Sequence, residues 1–322
     1  MPEFSRPFPD QPLTVAQAIA GETLTDVSEH DILEKLRDTA VLVRGFPGDI
    51  SGFHRFATKF CSTSVFNESP DRLLLDEENN IQSVNLGNDM FPLHPELARV
   101  PWKPDICFFH CITAPEEGGE TTFCDGVEIA RRLPRDVRNV LETRSLLYVQ
   151  HAGPPMLQFW LGTSTPSDTL LANPPAGCPY RFRRVGDGVV RFFARPSLHK
   201  PLWSEERAFG NFLLFARDYL KIDRMPLFED GSRIPDWIVD AVRDVAQPIT
   251  FAVKWEAGDI LILDNSRFMH GRNAINDEGE RSIATYFGYL KGVKQSPDEI
   301  VDPPWRKANF RPPSPGRRPT AL

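Results

Sequence analysis

Apolar and polar positions fall along the chain in blocks whose period changes from helical to extended. Ser28-Glu29-His30-Asp31 has the form of a capping box and predicts a helix through about Asp38. Ala40 to Phe46 is a nearly continuous apolar run closed by a glycine turn, which predicts a buried strand. Phe53, Phe56, Ala57 and Phe60 recur at three- and four-residue spacing and place a second helix over Gly52 to Cys61 with one face inward. From about residue 81 the pattern turns strand-rich. Ile81 to Leu86 is short and β-permissive, and Ile106 to Ile112 is apolar without alternation, as in a strand covered on both faces. Thr121 to Cys124 follows a Gly118-Gly119 turn. Helices are predicted over 126–132, 135–143, 204–220 and 235–246, and strands over 249–255, 259–264 and 281–290.

Other stretches lack a period. Residues 1–13 are proline-rich and read as extended. Residues 152–203 carry many prolines and glycines and read as a lid or insert, since long structureless segments inside a domain usually have that role. A proline-rich tail begins at about residue 303, and its part from Arg311 to Pro319 should be disordered or draped over the surface. With no internal repeat and no clean linker, residues 1–322 read as a single domain. Strands in two blocks with helices outside and between them predict a mainly β fold with flanking helices, the double-sheet jelly roll of cupin-like proteins.

Composition narrows the partners. Hydrophobic residues are 41% and charged residues 25% of 322, and 23 phenylalanines can furnish a substantial core. A formal charge of −7 argues against a general nucleic-acid or anionic-membrane surface. No apolar run reaches membrane-spanning length, and the first residues lack a basic-then-apolar signal pattern. The expectation is therefore a cytoplasmic protein with no nucleic-acid or membrane partner; the sequence leaves the oligomeric state open. Five cysteines without a CxxC pattern do not suggest a disulfide framework. Cys107 and Cys111 read as core thiols on one face of their strand.

The chemistry gathers in two places. His94-Pro95-Glu96 puts an imidazole and a carboxylate two residues apart, on one side of an extended segment. With seven histidines and 44 acidic residues, chance alone gives about one such pair, so its weight comes from context. Far downstream, Gly258-Asp259-Ile260-Leu261-Ile262-Leu263 reads as a buried strand that leads into Asp264-Asn265-Ser266-Arg267-Phe268-Met269-His270-Gly271-Arg272. Two histidines and one carboxylate make the facial triad of non-haem Fe(II) oxygenases if they meet in space. The same donors also suit zinc, which keeps a hydrolase open. Arg281 opens an apolar strand and needs a carboxylate partner or solvent.

These strings together resemble the clavaminate synthase-like and taurine dioxygenase-like family of Fe(II)/2-oxoglutarate oxygenases. The resemblance rests on His94-Pro95-Glu96, Gly118-Gly119-Glu120-Thr121-Thr122, Asp264-Asn265-x-Arg267-x-x-His270-Gly271-Arg272 and Arg281, and covers residues 80–125 and 250–290. It implies a double-stranded β-helix, with His94, Glu96 and His270 holding Fe(II), and Thr121 and Arg281 binding the distal carboxylate of 2-oxoglutarate. Glutamate at position 96, where many relatives have aspartate, is typical of the clavaminate synthase branch. Arg272 could touch 2-oxoglutarate or substrate, or serve internally. The implied activity uses O2 as co-substrate and hydroxylates, desaturates or cyclises a small polar metabolite, one derived from an amino acid by family analogy. Halogenation is disfavoured because Glu96 fills the position a halide would need. The competing class is a non-catalytic jelly-roll protein that binds a metal or ligand. Gln82, Asn85, Asn88 and Arg195 are the candidate substrate contacts.

Overall fold

The computed structural model describes residues 2–276, 279, 281–294, 299–308 and 310–313. Its frame is two facing β-sheets. The larger runs in the order Glu3–Ser5, Leu13–Gln17, Ala40–Arg44, Ile260–Asp264, Ile106–Thr113, Ser282–Leu290, Ile81–Ser83, Leu74–Asp76, with Cys61–Ser64 also paired to Ser282–Leu290. The smaller runs Phe251–Val253, Thr121–Asp125, Phe268–Arg272, Phe91–His94.

The unbroken apolar runs follow from this layering. In Ile106–Thr113, Cys107, Phe109 and Cys111 face the core between the sheets, where they meet Phe123 and Phe268 of the smaller sheet. Ile106 and Phe108 face the other way, onto Phe53, Phe56 and Phe60. Ile260–Asp264 divides likewise, with Leu261 and Leu263 inward and Ile260 and Ile262 outward. A strand covered on both faces has no polar side to show, so alternation disappears. The outer layer is built by helices Glu29–Leu36 and Ile50–Phe60. The first is capped by the Ser28 hydroxyl, which accepts from Asp31 N. Behind the smaller sheet, Cys124 and Met269 pack on the helices Gly126–Arg132, Arg135–Thr143 and Asp236–Ala246. The jelly-roll expectation and the predicted helices over 126–132, 135–143 and 235–246 agree with this architecture. All five cysteines are free, and Cys107 and Cys111 are fully buried.

Two expectations need correction. The helix over 204–220 is absent: Leu198–His199 pairs with Ala208–Phe209, and only Phe215–Tyr219 closes a short π-helical turn. Asn211 interrupts the run, since its side-chain oxygen accepts from Leu213 N at 3.0 Å and starts a new turn. Residues 152–203 are not structureless. They hold the helices Pro154–Leu161 and Asp168–Ala172, and the strands Arg181–Val185 and Gly188–Pro196 join a third sheet beside Ser145–His151. The stretch from 303 is anchored over its described part. Trp305 is buried, and Arg306 grips Asp105 at 2.9 Å and Glu299 at 2.7 Å. Residues 314–322 of the predicted tail lie outside the described residues. Among the described residues, no helix is long and apolar enough to cross a membrane.

Candidate active site

His94 ends the strand Phe91–His94 and lies directly opposite His270 across the antiparallel pair. The two ring centroids are 4.7 Å apart. The distal strand Ile260–Asp264 does not itself deliver the histidine. The chain turns at Asn265-Ser266, and His270 sits in the middle of the next strand, Phe268–Arg272. His94 Nδ1 lies 2.8 Å from the Pro92 carbonyl. That contact fixes the proton on Nδ1 and leaves the Nε2 lone pair available. His270 packs its ring 5.0 Å from Phe109 in the inter-sheet core, and its Nδ1 is buried without a partner. Burial lowers the pKa of both rings, in His270 helped by the neighbouring His94, so both are neutral and able to donate lone pairs.

Glu96 is brought to this pair by Asn265. The Asn265 Oδ1 accepts from Glu96 N at 2.7 Å, while Nδ2 donates to Glu96 O at 3.1 Å and Pro104 O at 2.9 Å. The Glu96 carboxylate is held at both oxygens. Asn67 Nδ2 donates to Oε1 at 2.6 Å, and an Arg72 Nη donates to Oε2 at 2.9 Å. The same Oε2 stands 3.8 Å from His270 Nε2. As they stand, the three side chains do not close on one point. Among the described residues no group of three or more His, Cys, Asp or Glu is disposed to hold an ion, and Glu96 leans on Arg72 and Asn67. The donor chemistry nevertheless fits a divalent transition metal: two neutral imidazoles and one carboxylate, with His270 Nε2 facing Glu96 Oε2.

A second cluster lies on the adjoining strands. Arg281 donates through Nε to Gly119 O at 2.7 Å and through an Nη to Thr121 Oγ1 at 3.3 Å. The Gly118-Gly119 turn is required for this approach. Both residues have positive φ, +74° and +67°, and a Cβ on Gly119 would stand 2.8 Å from Arg281 Cδ. Burial, with nearby Arg272 adding to it, pulls the Arg281 pKa down to about 10. A cation so placed, hydrogen-bonded among the described residues to the neutral oxygens of Gly119 and Thr121, is suited to an incoming carboxylate. Arg272 lies opposite Thr121 in register and is committed internally. It donates to the carbonyls of Asn85, Gly87 and Asp89 at 2.9, 2.6 and 2.7 Å, and so pins the loop before the proximal strand.

The remaining motif residues are scaffold. Asp264 accepts from Ser266 N and Oγ, which shapes the turn. Arg267 grips Asp125, whose side chain caps the helix Gly126–Arg132. The candidate substrate contacts are mostly occupied from within. Gln82 bonds the backbone of Asn67 at both ends, Asn85 accepts from Arg72 Nε at 2.9 Å, and Arg195 donates to the carbonyls of Val100 and Pro101. Asn88 is exposed. Asn67 and Arg72, which hold Glu96, were not singled out from the sequence. They lie in a loop with no motif, and only the fold reveals their part.

A family model described as "Taurine catabolism dioxygenase TauD, TfdA family" matches residues 7–286. The chain belongs to this family. A clavaminate synthase-like protein of Arabidopsis thaliana is 27% identical over 212 residues, covering 60% of this chain and 64% of its own length. A 3-((Z)-2-isocyanoethenyl)-1H-indole synthase of Fischerella ambigua is 27% identical over 216 residues, covering 63% and 65%. The chain thus spans just under two thirds of the length of these relatives. Solved structures share the fold. PvcB, an Fe, alpha-ketoglutarate dependent oxygenase from an isonitrile synthetic pathway, superposes with a TM-score of 0.56 at 17% identity, covering 88% of each chain. A putative alpha-ketoglutarate-dependent taurine dioxygenase from Burkholderia xenovorans gives 0.60 at 13% identity, covering 94% of this chain and 100% of that one.

Proposed function

We propose that this TauD, TfdA family chain is an Fe(II)- and 2-oxoglutarate-dependent oxygenase of a small molecule, with His94, Glu96 and His270 as the metal ligands. Thr121 and Arg281 take the distal carboxylate of 2-oxoglutarate. Arg272 supports the site by holding the 85–89 loop. The observation that carries the reading is the pairing of His94 with His270 across two strands, with Glu96 Oε2 3.8 Å from His270 Nε2. Fe(II), once bound, supplies the oxidative decarboxylation of 2-oxoglutarate by O2, coupled to oxidation of a substrate C–H bond.

The protein's own part is positioning and exclusion of water. Neutral imidazoles leave their lone pairs for the metal, and the Asn265 clamp fixes the backbone of Glu96 relative to the distal strand. His94, Glu96 and His270 would hold the metal from the protein side, leaving its other positions to the keto acid and O2. A carboxylate between Arg281 and Thr121 would anchor the far end of the co-substrate, on the strand neighbouring His270. The test is succinate formation from 2-oxoglutarate with Fe(II) and air. Succinate from the wild type and none from His270→Ala is the expected result. Hydrolysis with zinc, without succinate, would favour a hydrolase instead.

A further inference from the structure

The family match ends at residue 286, yet the chain continues as a strap, described over 299–308 and 310–313, that the oxygenase reading does not use. Pro303, Pro304, Pro312 and Pro313 have no N–H to offer a sheet, so the strap holds on by its side chains. Pro304–Arg306 forms a 3-10 turn that buries Trp305 and turns Arg306 onto Asp105. Both Nη atoms of Arg306 donate to the Asp105 carboxylate at 2.9 Å, and its Nε donates to Glu299 at 2.7 Å. The guanidinium also lies 4.3 Å over the Tyr289 ring. Further on, the Arg311 guanidinium lies 4.9 Å over the ring of Phe66 and donates to Asn80 Oδ1 at 2.7 Å.

Both arginines land beside the groups that hold Glu96. Asp105, gripped by Arg306, accepts from Asn265 N with its own carbonyl at 2.9 Å. Asn265 in turn clamps the Glu96 backbone with its side chain. Asp105 Oδ2 also accepts from Leu290 N at 3.0 Å, so its carboxylate is shared between the strap and the strand Ser282–Leu290. Phe66, covered by Arg311, precedes Asn67, whose Nδ2 donates to Glu96 Oε1 at 2.6 Å. Gln82 fixes the Asn67 backbone at N and O, and Arg311 bears on the residue before it. Two routes thus converge on one carboxylate: Arg306–Asp105–Asn265 on its backbone, and Arg311–Phe66–Asn67 on its side-chain oxygen. Burial of Trp305 accounts for the seat of the strap, but not for two guanidinium groups on the supports of the same residue.

We infer that Arg306 and Arg311 are positioning residues for Glu96: the C-terminal strap holds, from beyond the family match, the two supports that set this carboxylate for the metal. The inference rests on the reading of Glu96 as a metal ligand. Loosening the strap should therefore weaken metal binding although no ligand is touched.

The test is Mn(II) binding by the full chain, read as loss of the free-ion electron paramagnetic resonance signal, beside thermal melts. Arg306→Met should raise the Mn(II) Kd about 10-fold and Arg311→Ala roughly 3-fold. Arg306→Lys should fall between Arg306→Met and the wild type, since it keeps the charge without the fork. Lys307→Ala removes an exposed ion pair with Asp302 on the same strap and should melt and bind like the wild type. Because Arg306 acts through Asn265, Arg306→Met should add much less than its own factor to Asn265→Ala, a non-additivity that independent sites do not show. Arg311 is exposed, so Arg311→Ala keeps the test decisive if Arg306→Met fails to fold. Lower melting temperatures with wild-type Kd in Arg311→Ala and Arg306→Lys, or full additivity of Arg306→Met with Asn265→Ala, would overturn the inference. The wild type separates the two readings. If it binds Mn(II) and His270→Ala does not, while the strap variants bind normally, only the role of the strap is misread. If it takes up no Mn(II), the metal reading itself is at fault, and the inference falls with it.

Discussion

Asn265 and Glu96, 169 residues apart, are joined by a reciprocal pair of hydrogen bonds, 2.7 Å from Glu96 N to the amide oxygen and 3.1 Å from the amide nitrogen to Glu96 O. The side chain of the distal turn thereby docks the backbone of the proximal segment, and the two halves of the candidate metal site are set relative to each other. Asn265→Ala should lower stability by about 1–3 kcal/mol for the buried groups left unmatched. It should also raise the Fe(II) dissociation constant, whereas a merely structural asparagine would affect melting alone. Thermal melts beside Fe(II) titrations separate the two outcomes.

Arg72 and Glu96 form a buried ion pair, with side chains 5% and 4% exposed. Removing one partner of such a pair costs about 3–5 kcal/mol, because the other charge stays buried. Arg72→Met should therefore melt well below the wild type without metal. Saturating Mn(II) should raise its melting temperature more than that of the wild type, since the ion supplies the missing positive charge. Equal metal-induced shifts in the two proteins would argue that Glu96 does not meet the ion.

Arg281 is partly buried, and among the described residues its guanidinium reaches the neutral oxygens of Gly119 and Thr121. Loss of a charge-assisted contact to a carboxylate costs about 2–5 kcal/mol. Arg281→Ala should raise the 2-oxoglutarate requirement by roughly 30-fold or more, and Arg281→Lys should recover part of it. The check is the 2-oxoglutarate dependence of succinate formation. An unchanged requirement would move the carboxylate site toward Arg272.

Stability should fall with acid through a histidine outside the candidate metal site. His199 is half-buried with Nε2 2.7 Å from Ser266 O, and desolvation of its ring, with Lys103 adding to it, lowers its pKa to about 3. The unfolded chain protonates it near 6.5, so its contribution is complete above that pH and is lost as pH falls toward 3. Between pH 6.5 and 5 this amounts to about 2 kcal/mol. Urea midpoints at pH 7.5 and 5 should differ less in His199→Gln, which retains an N–H for Ser266. An undiminished pH slope in that variant would clear His199 of the effect.

Much of the frame was legible in the sequence because its signals are local. Phe53, Phe56, Ala57 and Phe60 are all buried on one helix face, and the apolar runs around Phe109 and Ile262 are strands between two layers. The candidate triad was legible only through its string, because His-x-Glu on its own is no rarer than chance allows. Asn67 and Arg72 left no trace, since their part depends on a loop folding back to Glu96 across 29 and 24 residues. The run over 204–220 misled because apolar spacing around a strand end and a π-turn imitates a helical face. The order within 152–203 was hidden because its elements are short and its pairing with Ser145–His151 is not local.

The central claim is that His94, Glu96 and His270 form one metal site beside a keto-acid site, and anaerobic absorption spectroscopy tests it most directly. Wild-type protein mixed with Fe(II) and 2-oxoglutarate without oxygen should develop a weak visible charge-transfer band, and His270→Ala should not, while retaining the wild-type circular dichroism spectrum. No band in the wild type, or an undiminished band in folded His270→Ala, would contradict the account.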